Sequence, residues 1–275
     1  MQVREYKPPK HLYPFIELFW EGDFNTALEH QLRQRVVPNG YVELIIHLTT
    51  HHCDLFKGGR WSQSPDYTII GLYTTPYEVQ FRDLVQVFGI RFKPEGIYNL
   101  FGVPASEFHQ NYEDMELVLG SRFREYCEQL MEARDTAQKL QLTKAYLIKN
   151  LVDQENDLSY VNRAAELIRQ SDSMLRIEDL PDKLYISLRQ LEREFKHKIG
   201  TTPKRYMRIA RLNEVHRQLE QNRQVDFTQV AFDCGYADQA HFIRDFKSIM
   251  GVNPTIFVKD RRKFIVNHKN SQLLD

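Results

Sequence analysis

Val230-Ala-Phe-Asp-Cys-Gly-Tyr-Ala-Asp-Gln-Ala-His-Phe-Ile-Arg-Asp-Phe-Lys247, followed by Gly251-Val-Asn-Pro254, decides how the second half of this chain is read. A short apolar-rich segment runs into Cys234-Gly235, where glycine supplies the left-handed backbone of a tight turn. The next segment carries Phe242, Phe246 and Ile249 at three- and four-residue spacing, the signature of a helix with one buried face. Gly251 stops it, and Asn253-Pro254 opens another helix with a cap residue followed by a first-turn proline. A short helix, a tight turn, a second helix and a third make a helix-turn-helix pattern.

The same order occurs once more upstream. Ile177-Glu-Asp-Leu180, Leu184-Tyr-Ile-Ser187, Leu191-Glu-Arg-Glu-Phe-Lys196, Gly200-Thr-Thr-Pro203 and Tyr206 anticipate the later copy at an offset of 50 residues up to the turn and 51 after it. On the second helix of this first copy Leu188, Leu191, Phe195 and Ile199 share one face, while Arg189, Arg193 and Lys196 share another. Ala240, Arg244 and Lys247 stand 51 residues on from those three. Ser187-x-x-Gln190 is a capping box that fixes the helix start. The arginine fork pairs bidentately with guanine edges or phosphates from a helix that fits the DNA major groove. A lone arginine is as readily solvated, or bridged to a neighbour such as Glu194. Recurrence at matching positions favours a shared task for Arg193 and Arg244. Between the copies, Pro203 to about Gln221 reads as one helix roughly 28 Å long, near the ~34 Å between successive major grooves.

Length and charge frame this pattern. The 275 residues suit about two domains, and 37 basic against 37 acidic side chains give a formal net charge of zero. Taken whole, that balance argues against a polyanion partner. Dividing the chain at the polar run Asp153-Gln-Glu-Asn-Asp157 separates 16 basic and 21 acidic side chains from 21 basic and 16 acidic ones, and the repeat lies in the basic part. A solvated helical surface carries such an excess as often, so the repeat decides the reading rather than the charge.

The front half has another texture. Val36-Val37, Tyr41–Leu48, Tyr67–Ile70 and Val85–Phe92 read as strands separated by Pro38-Asn39-Gly40, Lys57-Gly58-Gly59 and Pro76, which predicts a small barrel or sandwich. From Met115 to Val152, Leu119, Phe123, Tyr126, Leu130, Leu140, Leu147 and Leu151 recur at helical spacing and predict a pair of helices. Cys53, Cys127 and Cys234 are odd in number and far apart, matching neither a disulfide framework nor a paired metal motif, so a reducing cytosol is expected. Neither a signal peptide nor a membrane span is legible.

The second half resembles the AraC/XylS transcriptional regulators of bacteria, whose signature is a region of about a hundred residues with two helix-turn-helix units. Residues 158–259 cover it, and Val230–Lys247 with Gly251–Pro254 is the most specific match. The resemblance implies base contacts from Arg189, Gln190, Arg193, Gln239, Ala240 and Arg244. It implies phosphate contacts from Ser187, Lys196, Lys204, Arg205 and Lys247. Ala240 offers no hydrogen bond, so the second unit reads sequence less tightly or uses a thymine methyl. Two positions depart from the family. Pro181 stands where a small residue is usual, which places the helix start near Asp179, and Tyr185 replaces the turn glycine of the first unit. Double-stranded DNA is the implied partner, with RNA polymerase and a second copy of the chain as further ones.

Pro38–His47 and Phe88–Gly96 with Gly102-Val-Pro-Ala105 resemble the cupin-like β domain that precedes many such DNA-binding regions. An effector pocket there would draw on Tyr41, Glu43, His47, Trp61 and Arg91, with a ligand-free scaffold as the equal alternative. His47, His51, His52 and Cys53 lack a second ligand pair and read as a solvated loop rather than a metal site. No cofactor motif and no catalytic signature is present, so no enzyme is expected. The expected fold is α+β. A β-barrel or cupin-like domain (1–112) is followed by a helical connector (113–156) suited to dimerisation, an all-α double helix-turn-helix domain (157–260) with its long joining helix, and a tail (261–275). The expected function is a cytoplasmic DNA-binding regulator, an activator before a repressor. A constitutive DNA binder with an interaction-only front domain and a DNA-targeted enzyme are the alternatives.

Overall fold

A computed structural model describes residues 2–25, 32–81, 84–151, 159–171, 175–221, 226–265 and 273–274. The boundary expected near residue 155 lies outside the described residues.

The front of the chain forms β1 (Gln2–Tyr6), β2 (Ile16–Asn25), β3 (Leu32–Val36), β4 (Val42–His47), β5 (Asp54–Lys57), β6 (Arg60–Gln63), β7 (Tyr67–Ile70), β8 (Tyr77–Phe81), β9 (Leu84–Phe92) and β10 (Tyr112–Asp114). The helices are α1 (Gly96–Phe101), α2 (Met115–Leu119), α3 (Ser121–Met131), α4 (Thr136–Lys149), α5 (Ser159–Gln170), α6 (Leu180–Leu184), α7 (Leu188–Ile199), α8 (Pro203–Gln221), α9 (Phe227–Asp233), α10 (Gln239–Met250) and α11 (Pro254–Lys259). Two short strands follow, β11 (Phe264–Ile265) and β12 (Leu273–Leu274). The pair of helices expected between Met115 and Val152 is thus three, because Gly120, with φ of 74°, breaks the first segment after five residues.

The strands form two sheets, ordered β10-β7-β4-β9-β2-β1-β12 and β11-β3-β8-β5-β6. Their pairings are antiparallel except β1 with β12 and β3 with β11. The larger sheet is covered on both faces, which explains the near-continuous apolar runs of β4 and β9. Leu18, Trp20 and Phe24 of β2 with Val85 and Val87 of β9 face the smaller sheet, meeting Leu55, Val79 and Phe81. The alternate residues Phe19, Leu44, Ile46, Phe88, Ile90 and Phe92 face a layer of helices. Strand periodicity therefore assigns each side chain to one of two cores.

The helical layer does not end with the front domain. Phe123, Tyr126 and Leu130 of α3 and Leu147 of α4 share one continuous core with Val161, Ala164 and Ile168 of α5, and with Leu191, Phe195 and Ile199 of α7. The second helix-turn-helix unit has a separate core, built from Val230, Cys234, Phe242, Phe246, Ile249 and Phe257. Helix α8 belongs to both, with Tyr206 and Ile209 in the first core and Leu212, Val215 and Leu219 in the second.

Three contacts seat the front domain on this helical frame. Glu95, 2% exposed, accepts two hydrogen bonds from the Arg169 guanidinium at 2.9 and 2.5 Å, and Arg169 also donates to the Tyr206 hydroxyl of α8 at 3.2 Å. The turn Pro38-Asn39-Gly40 lies against α8: Asn213 donates to the Asn39 carbonyl at 2.7 Å, and a Cβ on Gly40 would stand 3.3 Å from the Tyr206 ring. Gly200 ends α7 at φ of 86°, and a Cβ there would meet the Ala105 carbonyl oxygen at 2.9 Å. Only glycine satisfies both the left-handed stop and that approach.

Removing one member of a buried ion pair leaves the other charged and desolvated, at a cost of about 3–5 kcal/mol. Arg169→Met is expected to lower the urea midpoint accordingly, and adding Glu95→Gln to that variant is expected to recover most of the loss.

Candidate nucleic-acid interface and effector cavity

The first unit is shaped by its caps. Pro181 sits in the first turn of α6, after a 3-10 turn over Ile177–Asp179, so the late start expected near Asp179 is how proline is accommodated. Tyr185 takes the left-handed turn position at φ of 55°, and its side chain is 95% exposed. The Ser187 hydroxyl accepts the Gln190 amide at 3.2 Å and opens α7. In the second unit Asp226 and Asp238 play that part, accepting Thr228 N–H at 2.8 Å and His241 N–H at 2.6 Å.

With apolar faces turned into the two cores, the polar faces of α7 and α10 point to solvent. Arg189, Gln190, Arg193 and Lys196 on α7, and Gln239, Ala240, Arg244 and Lys247 on α10, are all exposed. Ser187, Lys204 and Arg205, at the starts of α7 and α8, are exposed as well. Every residue expected to meet DNA is therefore at the surface. Arg193 lies along Glu194, donating through Nε at 3.1 Å and a terminal nitrogen at 3.0 Å, yet stays 74% exposed. Such a surface pair is worth under about 1 kcal/mol and gives way to a phosphate or base edge. Helix α10 is held from behind. Asp245 accepts from Arg208 of α8 at 2.7 Å and from the Tyr236 hydroxyl at 3.1 Å. His109 of the front domain borders the basic face: burial, then the charges of Arg205 and Lys196, push its imidazole below the ordinary range. That neighbour has no signal in the sequence, because only the fold brings residue 109 beside α7 and α8.

The front domain holds a partly open cavity of about 70 Å³ between its sheets. Trp20, Phe24, Ile45, Leu55, Val79, Phe81, Val85 and Val87 make its walls. Tyr41, Glu43 and Arg91, expected as lining, are there. Glu43 and Arg91 face each other across β4 and β9 and bond at 2.5 Å, while Glu43 also accepts from the Trp20 indole at 3.1 Å. The pair is internally neutralised, so the cavity presents no uncompensated charge.

His47 and Trp61, expected beside them, are not among the lining residues. Trp61 is on the outer hairpin, tilted against Phe56 and under the Arg33 guanidinium. His47 is buried behind the wall, where Nδ1 lies 3.1 Å from the Asp66 carbonyl and must donate to it. Nε2 then accepts from the Ser64 hydroxyl at 3.2 Å, and the ring stacks on His52 at 4.4 Å. The His52–Cys53 stretch, read as a solvated loop, is thus partly wrong in sequence terms: Cys53 and His52 pack inward, and burial pushes the Cys53 thiol up to about 11. Among the described residues no group of three or more His, Cys, Asp or Glu converges as metal ligands would.

Two solvent-facing basic helices, each the second member of a helix-turn-helix, with α8 between the two units, define a double helix-turn-helix domain. Residues 180–260 match the family described as a helix-turn-helix domain, and residues 4–114 match a domain of unknown function. The chain is similar to the HTH-type transcriptional activator RhaS of Escherichia fergusonii, 38% identical over 77 residues, which cover 28% of this chain and 27% of that protein. RhaS of Escherichia coli O1:K1 is 32% identical over 127 residues, 46% of this chain and 44% of its own length. The chain thus spans less than half the length of the curated relatives it matches. The fold is shared with ToxT from Vibrio cholerae, at 12% identity and a TM-score of 0.50 over 88% of this chain and 98% of that one. Residues 180–260 thus form a helix-turn-helix domain similar to that of these transcriptional activators.

Burial is the main reason that the His47 imidazole is pushed down to about 4, with the Asp66 carbonyl opposing it. In the unfolded chain the group takes a proton near 6.5. Stability is therefore full above that pH and falls as pH drops from about 6.5 to 4, by about 3 kcal/mol at most. Urea titrations at pH 7 and pH 4.5 are expected to show this loss, and His47→Gln to shrink it.

Proposed function

We propose that this chain is a one-component transcriptional regulator that inserts α7 and α10 into successive major grooves of double-stranded DNA. The observation that carries this reading is the repeat of solvent-facing basic helices at a 51-residue offset, each backed by a buried apolar face. Arg189, Gln190 and Arg193 in the first unit and Gln239, Ala240 and Arg244 in the second are the base-reading set. Ser187, Lys196, Lys204, Arg205 and Lys247 hold phosphates, and the free N–H groups at the start of α8 add to them. The similarity to RhaS, described as an activator, makes activation the favoured output, with RNA polymerase as the protein it contacts. No described helix is long and apolar enough to cross a membrane, and a double-stranded DNA target supports a cytoplasmic reading.

The front domain is a control domain whose cavity takes a small effector. Apolar walls and a self-neutralised Glu43–Arg91 pair fit an uncharged, largely apolar molecule better than a sugar or an ion. This favours an effector over an interaction-only scaffold. Connector helices α2 to α4 offer a face for a second copy, and the units 1–112, 113–156, 157–260 and 261–275 remain the proposed division of labour.

Arg189→Ala, Arg193→Ala and Arg244→Ala are each expected to weaken specific binding in gel shifts by about 1–3 kcal/mol while leaving thermal stability within about 0.5 kcal/mol. Unchanged binding by all three folded variants would refute the base-reading assignment. With about six to eight phosphates neutralised, affinity is expected to fall a thousandfold or more between 50 and 200 mM salt.

A further inference from the structure

The wall of the cavity includes one residue from beyond the DNA-binding domain, Ile265. Strand β11 pairs in parallel with the edge strand β3, setting Phe264 opposite Arg35 and Ile265 opposite Val36. The Val37 amide donates to the Ile265 carbonyl at 3.1 Å, and Gln34 donates to the Arg262 carbonyl at 3.3 Å. Successive side chains of a strand point to opposite faces. Ile265 accordingly packs on the sandwich core beside the cavity, while Phe264 packs on the core of the second helix-turn-helix unit, 5.0 Å from the Phe257 ring. The root of the strand is tied to that unit too, because Arg261 donates to the Leu219 carbonyl near the end of α8 at 2.6 Å.

The junction also holds the hydrogen bond from Asn213 of α8 to the Asn39 carbonyl. Helix α11 faces β3 across an open groove lined by Arg35, Glu78, Val252 and Ile256. The first unit shares the continuous core of the front domain, whereas the second has its own, to which the front domain contributes Val37. Backbone pairing of β11 thus bridges the control domain to the more separable of the two units.

We infer that Ile265 completes the effector site, and that β11 is the strap through which an uncharged apolar ligand acts on the second unit. This rests on the effector reading of the cavity. A ligand touching Ile265 gains that contact only while β11 is paired, so it binds the strapped state more tightly and, by linkage, holds the second unit against β3. Loss of the strap opens the cavity wall and frees α10 to move relative to α7.

The test compares the full chain with a chain ending at Lys263 and with Ile265→Asp, using N-phenyl-1-naphthylamine as the apolar fluorescent probe. Both variants are first checked for retained helical circular dichroism. Without probe, NMR-detected exchange of the Val37 amide is expected to be at least tenfold faster in the shortened chain; equal exchange overturns the strap. With probe, dissociation constants at least fivefold weaker in both variants, and added protection of α10 amides in the full chain alone, support the linkage. Equal probe affinity in all three proteins overturns the role of Ile265 while leaving the effector reading intact. Absence of probe binding to any of them overturns the effector reading and the linkage with it.

Discussion

Glu95 is withdrawn from water, and the half-buried Arg169 guanidinium is what balances its charge there. Their bond joins the loop after β9 to α5, and the hydroxyl of Tyr206 extends it to α8. Three parts that are distant in sequence are thereby held at one point: the front domain, the helix that leads into the first unit, and the rod that leads to the second. Nonpolar packing would hold these surfaces together without fixing their angle. A bidentate guanidinium–carboxylate contact has a direction, so it sets the orientation in which Phe195, Ile199 and Ile209 enter a common core with Phe123 and Leu130.

One consequence is that the units of packing differ from the units of the repeat. The two helix-turn-helix copies are near equivalents in sequence, down to their cap and stop residues. In the structure the first is part of the front domain's core and the second stands apart. The first unit is thus fixed to the front domain by shared core packing, and the second by fewer buried side chains.

Much of this was legible in the residues. The turn at Gly235, the stops at Gly200 and Gly251 and the proline starts at Pro203 and Pro254 are local signals, and each fell where the chain bends or begins a helix. Pro181 was legible for the same reason, since its ring permits few places. The apolar runs of β4 and β9 showed strands but not what covered them, because such a run reads alike whether its second cover is a sheet or a helix. Trp61 and His47 were misplaced as cavity lining because strand position alone does not tell which hairpin turns outward or which ring hides behind a wall. Ile265, His109 and the Glu95–Arg169 bond depend on pairings across 74 to more than 200 residues, for which a single sequence carries no mark.

Helix α8 is rooted in two cores, with Ile209 in one and Leu212 in the other, less than one turn apart. No flexible joint lies between them, so the rod carries phase as well as distance. One residue inserted between those positions would turn the second unit by about 100° around the rod while moving it only about 1.5 Å along it. The spacing of the two half-sites on DNA is in this sense written as an angle, and the chain can change its target spacing only in steps that bring α10 back to the same side.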